Sequence, residues 1–480
     1  MTTRDQQSAV VEPTSPVRED RPRRAGALAL AAVVACQLMV AVDGNIVNIA
    51  LPRIRSGLDF SPGGLAWVFS AYSLAFGGLL LLGGRTSDLL GRRRTLTWGL
   101  LAVVAASLLG GLAPNAGTLI AARALQGAGF AFAAPAALSL LAVTFAEGPE
   151  RHRALGVFST VAGLGITLGL ILGGLLTALS WRLVFFVNVP IGLAAVLLAL
   201  RHLPETPRHP GRPDVLGALT STAGTGAVVY GLIHASAAGW GSTTTVTALL
   251  LGAALLAAFL LGQARAARPL VPLTLFARRD RSGAYAVFLL LFAAMGGTYF
   301  LLSLYVQDGL GLSPLTAGPA FLPLALAQFA AARSAPGLIP RHGARPLIAT
   351  GAALLLADSL WLATTGPHTG YWAGLFGPLL LLGAGLGLAF VPLNTTILAG
   401  LAPAETGAAS GLLQAVQQLG LSLGVAVLAT VHGRAVHGAA HPARADLAHG
   451  LATAVTAAAA FSGLAVLICL FVITRGPQGN

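Results

Sequence analysis

Lysine is absent from this chain: all 29 residues in the Lys+Arg count are arginine. That excludes a Walker A loop, which ends in Gly-Lys, and any Schiff-base lysine. Charge is scarce too. Only 9% of the 480 residues are charged, against about 25% in soluble domains, which excludes an ordinary soluble enzyme. Cysteine is nearly missing, and Cys36 and Cys469 lie in apolar runs near opposite ends without CxxC spacing, so both read as buried hydrophobes. Catalytic strings are missing as well. No HExxH or glycine-rich phosphate loop occurs, and the 10 histidines are scattered, mainly in loops. The GLSLG string at 420–424 falls within an apolar helical run rather than at a strand-to-helix turn, so it is no nucleophile elbow. Neither an enzyme nor a bound cofactor is expected.

What the chain has in abundance is apolar sequence, 55% of its residues. A membrane-spanning helix takes about 20 apolar residues, so fourteen would use roughly 300 and leave about 180 for loops and tails. Apolar runs fall at about 25–51, 65–84, 95–113, 117–144, 154–177 and 183–200, then 215–235 and 245–264, then 283–307, 315–332, 345–365, 371–398, 406–431 and 450–474. The order of six, two and six predicts an all-α polytopic membrane protein. Its units are a disordered cytoplasmic tail at 1–24, a six-helix bundle at 25–200, and a linker with two extra spans at 201–282. A second bundle at 283–474 and a short cytoplasmic tail at 475–480 complete the chain.

Arginine placement predicts orientation. With the N-terminus inside, inner segments hold 23 arginines and outer loops hold 5 (Arg53, Arg55, Arg182, Arg434 and Arg444), while Arg123 lies within a helix. The positive-inside rule then puts both termini in the cytoplasm and the chain in the cytoplasmic membrane. The net charge of +13 is thereby explained without a nucleic-acid partner. The six-helix sets also echo one another: GGRTSDLLGRRRTL after the second run corresponds to APGLIPRHGARPLI in the second set. Paired bundles with a site between them at mid-membrane are a transporter plan.

Several segments are more specific. VDGNIVNIALP (42–52) supplies Asp43, Asn45, Asn48 and Pro52; Gly84, Asp88, Gly91 and Arg92 fit GxxxDxxGRR; and Arg123, Gln126, Gly127 and Gly129 fit RxxQGxG. WRLVFFVNVPIG (181–192), YVQDGLGLSPLTAG and ASGLLQAVQQLG add to the pattern. With these residues the chain resembles the major facilitator superfamily, in particular its fourteen-helix drug/proton antiporter branch of the QacA and EmrB type. The resemblance covers essentially the whole helical region. One position departs from it: Gly165, Gly169, Gly173 and Gly174 fit the antiporter motif GxxxGPxxGG, but Leu170 stands where proline is usual. The glycines imply close helix packing, while Leu170 does not supply the bend that a proline provides.

Ionisable side chains at mid-membrane cost on the order of 2.5–3.5 kcal/mol and call for a function or a partner. Asp43 lies nine residues before Pro52, hence about 13 Å deep, and Arg123 about 9–12 Å deep in the same leaflet. If the first and fourth helices adjoin, as the resemblance implies, the two side chains pair, either as a proton-coupling switch or as a permanent structural link. Helical phase sets Asp43 about 160° from Asn45, so one face lines the pathway and the other packs on a neighbouring helix. Asp358 reads as a second protonation site, a cation contact, or an oddity bonded to Ser359 or a carbonyl. Asp308 reads as an interfacial charge. The resemblance implies a cytoplasmic latch at Gly84, Asp88, Gly91 and Arg92. Polar positions Gln37, Asn45, Asn48, Gln126, Asn394, Gln414 and Gln418, together with Tyr299, are expected to line a substrate cavity. Trp67, Tyr72, Tyr299 and Tyr305 either stack on a flat drug or anchor the interface. The expected activity is export of hydrophobic or cationic small molecules driven by the proton gradient. Partners are then substrate, protons and bilayer, and the protein is a monomer. Alternatives are a proton-coupled importer and a non-transporting membrane sensor.

Overall fold

A computed structural model describes residues 23–145, 149–205, 214–266, 273–401, 403–436 and 443–473. Apart from Arg23 and Arg24, the tails expected at 1–24 and 475–480 lie outside it. The regular elements are helical. The first bundle comprises α1 (Arg23–Gly57), α2 (Pro62–Leu90), α3 (Arg92–Gly111), α4 (Ala116–Thr144), α5 (Pro149–Leu179), and α6 (Leu183–Phe186) leading into α7 (Asn188–His202). A pair follows, α8 (Val215–Ala238) and α9 (Thr243–Arg265). The second bundle comprises α10 (Arg279–Leu304) with a π-helical turn at Tyr305–Gly309, α11 (Pro314–Ala320), α12 (Leu322–His342) and α13 (Ala344–Leu362). It ends with α14 (Tyr371–Gly374), α15 (Phe376–Leu398), α16 (Pro403–Ala435) and α17 (Arg444–Phe471). Among the described residues, 11 helical spans are long and apolar enough to cross a membrane. Counting α2, α5 and α8 beside them, the protein has between 11 and 14 such helices.

Local chemistry sets the boundaries. Ser61 and Asn115 accept from the backbone N–H of Gly64 and Thr118 at 3.1 and 2.9 Å, capping α2 and α4, and Asp214 caps α8 through Gly217 at 2.8 Å. Gly91, at φ +100°, makes the turn between α2 and α3, a conformation that L side chains rarely adopt. Three apolar runs that read as single helices are broken, at α6–α7, α11–α12 and α14–α15. Each break adjoins a proline (Pro190, Pro319 with Pro323, and Pro378), which cannot donate to the helical ladder. Conversely, α1 runs past Pro52 to Gly57, beyond the expected end near residue 51.

Small residues bring the helices together, and the two bundles use them alike. Across α3 and α4, a Cβ on Gly99 or on Gly129 would stand 2.8 Å from the other's carbonyl oxygen; Gly351 and Gly385 repeat this across α13 and α15 at 2.6 and 2.7 Å. Across α1 and α5, a Cβ on Gly169 or Gly173 would stand 3.0 or 2.8 Å from the carbonyl oxygen of Val42 or Ile46, and one on Gly165 would abut Ala41. The counterpart is α16 on α10, where a Cβ on Gly420 would stand 2.6 Å from Leu289 O and one on Gly424 would abut Ala293 O. Such contacts are the small-xxx-small mode of membrane helices.

The bundles meet along two seams, α2 on α16 and α5 on α11. Gly174 contributes to the latter, 2.6 Å from the Pro314 carbonyl by the same measure. The α8 helix packs on α9, α2 and α16, with Thr222 donating to Gly78 O at 2.8 Å. We call the end with the α1–α2 turn distal and the end with the α2–α3 turn proximal. At the distal end Ser303 donates to Asn48 O, Gln307 donates to Ile49 O at 2.9 Å, and Arg55 pairs with Asp308 at 3.6 Å.

Candidate functional site

The centre of the first bundle holds a closed polar network. Helix α1 carries Asp43 there and α4 carries Arg123, both essentially inaccessible. Arg123 donates to Asp43 Oδ2 at 2.7 Å, to Gln126 Oε1 at 2.9 Å and through Nε to Val68 O at 3.0 Å. The other carboxylate oxygen, Oδ1, accepts from Asn188 at 2.7 Å and from Gln126 at 3.3 Å. Gln126 also donates to Ser107 at 2.8 Å, and the guanidinium lies 4.3 Å from the Tyr72 ring centroid. Five helices thus converge on one ion pair: α1, α2, α3, α4 and α7. The pairing follows from helix spacing, since Arg123 and Gln126 are three apart on one face of α4. Both Asp43 oxygens are satisfied, as a buried charge requires.

The chemistry of this arrangement depends on the charge of the Asp43 carboxyl. A proton on Asp43 would remove the negative charge facing Arg123 and turn one acceptor oxygen into a donor, leaving the guanidinium with neutral partners, among them Val68 O and Gln126 Oε1. Because the site is enclosed by apolar side chains and desolvated, that change alters the balance among five helices.

The remaining expected residues are dispersed. Asn45 is half-buried on α1 and donates to Ala41 O at 2.8 Å; Gln37 is also half-buried. Asn48 is 2% exposed with its Oδ1 unpartnered, and it sits at the distal seam. Gln126, expected in an open cavity, is enclosed in the Asp43 network. Tyr299 is buried against Phe321 at 5.1 Å between ring centroids, and its hydroxyl is unpartnered. Gln414 and Gln418 are half-buried on α16, where Gln418 packs on Gly77 of α2. Asn394, near the proximal end of α15, donates to Phe390 O at 2.7 Å. Asp358 is buried in α13 with both oxygens unpartnered, while Ser359 donates to Leu355 O rather than to it.

At the proximal end Arg92 donates to Ser139 O at 3.5 Å, and Arg93 and Arg94 lie 3.5 and 3.6 Å from Glu205. These contacts reach α4 and the segment after α7, and not the second bundle. Gly84 faces Pro135, Gly91 makes the turn, and the Asp88 side chain lies outside the described residues, as does that of Leu170. Sequence reasoning missed Asn188, Ser107, Ser303 and Gln307. The available signal was a lone polar residue in an apolar run, as Asn188 is in VFFVNVPIG.

The major facilitator superfamily model matches residues 33–425. The chain belongs to the Major Facilitator Superfamily. As a member, it is a membrane-embedded, multi-pass transporter with that superfamily's all-helical fold. It is 42% identical over 463 residues to the puromycin resistance protein of Streptomyces alboniger, spanning 93% of this chain and 91% of that protein. It is 41% identical over 416 residues to the cephamycin export protein of Amycolatopsis lactamdurans, spanning 85% of this chain and 86% of that one. Among solved structures, the POT family transporter PepTSo superposes with a TM-score of 0.68 at 14% identity, covering 94% of this chain and 97% of that chain. At that identity the likeness speaks for the fold alone.

Proposed function

We propose that the protein exports hydrophobic or cationic small molecules of the antibiotic type in exchange for protons. It is a fourteen-span transporter of the QacA and EmrB type, working as a monomer in the cytoplasmic membrane with both termini in the cytoplasm. The distal end faces outward. The proton gradient replaces any cofactor, and the chain's partners are substrate, protons and lipid. The observation that carries this reading is the sealed Asp43–Arg123 pair, the one described ion pair buried on both sides, in a chain whose relatives bear export and resistance names. The arginine distribution supports the orientation.

In the cycle, an outside proton reaches Asp43 when substrate leaves, Arg123 is released from its charged partner, and the bundles rock about the α2–α16 and α5–α11 seams. Half-buried Gln37, Asn45, Gln414 and Gln418 contact substrate between the bundles, with Asn48, Gln126, Tyr299 and Asn394 entering as they rock. Asp358 is a second protonation site, and Gly84, Asp88, Gly91 and Arg92 latch the cytoplasmic side. One proton crossing about 100 mV releases roughly 2.3 kcal/mol, equivalent to about a 50-fold gradient of neutral substrate.

The test is a susceptibility panel in an efflux-deficient host, paired with uptake into everted vesicles. Wild type raises resistance and accumulates the same compounds in vesicles, Asp43→Asn does neither, and a protonophore abolishes accumulation. Uptake in right-side-out vesicles would identify an importer. Insensitivity to the protonophore would remove proton coupling.

A further inference from the structure

A groove of about 560 Å3 opens on the outer flank of the first bundle, between α2, α3 and α4. It lies apart from both seams along which the bundles meet. Its volume is within the roughly 300–1,000 Å3 of small-molecule sites. The polar and apolar parts of its lining are segregated along the membrane normal. On α3 the stripe Arg94, Trp98, Ala102 follows the i, i+4, i+8 repeat, so a guanidinium at the proximal membrane edge heads an apolar track running about 12 Å inward. Leu90 and Leu125 form the walls and are exposed, and Trp98 is 71% exposed. Gly99 and Gly129 also line it, where the backbones of α3 and α4 nearly touch.

The charge at the mouth is positive. Arg93 and Arg94 share the single carboxylate of Glu205, so these three side chains carry one net positive charge, and the Arg94 side chain remains 57% exposed. Basic pockets between membrane helices bind anionic lipid headgroups, and each basic side chain near such a surface contributes about 1 kcal/mol.

We propose that this groove is a binding site for one anionic phospholipid of the membrane, its phosphate on Arg94 and one acyl chain laid along Trp98 and Ala102 beside Gly99 and Gly129. The amphipathic order of the lining fits a lipid held at a fixed depth: the charged group lies at the edge and the chain points to the bilayer centre. The proposal uses the membrane placement of the bundle and no step of transport, so it stands or falls separately from the export reading.

Native mass spectrometry of the full-length protein, titrated with dioleoylphosphatidylglycerol or dioleoylphosphatidylcholine in detergent, tests it. Wild type should retain one phosphatidylglycerol with a preference of about five- to tenfold over phosphatidylcholine, the scale of one basic contact. Arg94→Gln should erase that preference, Arg94→Lys should keep most of it, and Ala102→Leu, which fills the track, should weaken both lipids together. Equal retention of the two lipids by wild type overturns the proposal, as does an undiminished preference in Arg94→Gln. Unchanged affinity in Ala102→Leu places the chain elsewhere and overturns it too. Should Arg94→Gln fail to fold, the Lys and Leu variants still decide the matter.

Discussion

Asp43 and Arg123 are each too costly to place alone in a membrane, and together they form a neutral unit that is further hydrogen-bonded to Gln126, Asn188 and Val68. Removing one partner leaves the other charged and buried. Asp43→Asn should therefore destabilise the protein by about 3–5 kcal/mol, read as a lower unfolding temperature in detergent, and the double variant Asp43→Asn with Arg123→Gln should recover part of that loss. If the double variant is no more stable than the single one, the pair is not the source of the effect. Tyr72 offers a sharper contrast. Its ring faces the guanidinium but its hydroxyl has no partner, so Tyr72→Phe should leave stability and export near wild type. Tyr72→Leu should lose a cation–π contact of about 0.5–2 kcal/mol, seen in the same melting assay. A loss in Tyr72→Phe equal to that in Tyr72→Leu would assign the role to the hydroxyl instead. At this scale the sequence was partly legible. The cost of a buried charge singled out Asp43 and Arg123, and depth along each helix paired them. Asn188 and Ser107 stayed hidden because a neutral polar residue in an apolar run gives no sign of which helix supplies its partner.

Helix existence was easier to read than helix continuity, because apolar length is additive along the chain whereas a break depends on where one proline falls against its neighbours. The run at 183–200 looked continuous, yet α6 and α7 part just before Pro190, and Asn188, which donates to Asp43, is the first residue after the break. The glycine seams are a different case, since the spacing of Gly165, Gly169 and Gly173 suggested close packing, and in the fold these glycines face Ala41, Val42 and Ile46. What spacing could not give was the partner, nor the reciprocal seam of α16 on α10. These seams predict position-dependent tolerance. Gly424→Ala places a methyl group against the Ala293 carbonyl, whereas Gly463→Ala meets nothing within 4 Å. Gly424→Ala should sharply reduce the amount of folded protein recovered from membranes, by the cost of overpacking, about 1–3 kcal/mol or more. Gly463→Ala should match wild type. Equal yields of the two variants, by fluorescence-detected size-exclusion chromatography, would mean that the seam can part without loss.

The whole molecule is held asymmetrically. Among the described residues, the side-chain hydrogen bonds and the ion pair that join the two bundles lie at the distal end, where the π-helical turn Tyr305–Gly309 carries Gln307 onto the Ile49 carbonyl and Asp308 onto Arg55. A π-helical turn is rare and is frequent at functional positions, and here it supplies contacts that join the bundles at the distal end. The sequence marked Asp308 as an interfacial charge but gave no hint of its partner 253 positions away, Arg55, because a contact between bundles depends on the conformational state. If export requires the distal end to open, those contacts must break in every cycle. A Cys pair at Arg55→Cys and Asp308→Cys, joined by a short reducible bis-thiol reagent, should stop uptake into everted vesicles nearly completely, and a reductant should restore it. Cys36 and Cys469 are buried and leave the reagent to the introduced pair. Transport that continues with the link in place would show that the distal contacts do not have to part. Gln307→Ala tests the same closure without chemistry: it should raise maleimide labelling of a cysteine introduced at Ile49, which is inaccessible while the distal end is closed. The two experiments bear on one equilibrium from opposite sides, the first by forbidding the open state and the second by favouring it. A distal gate therefore requires lost transport in the linked pair together with increased labelling in the alanine variant.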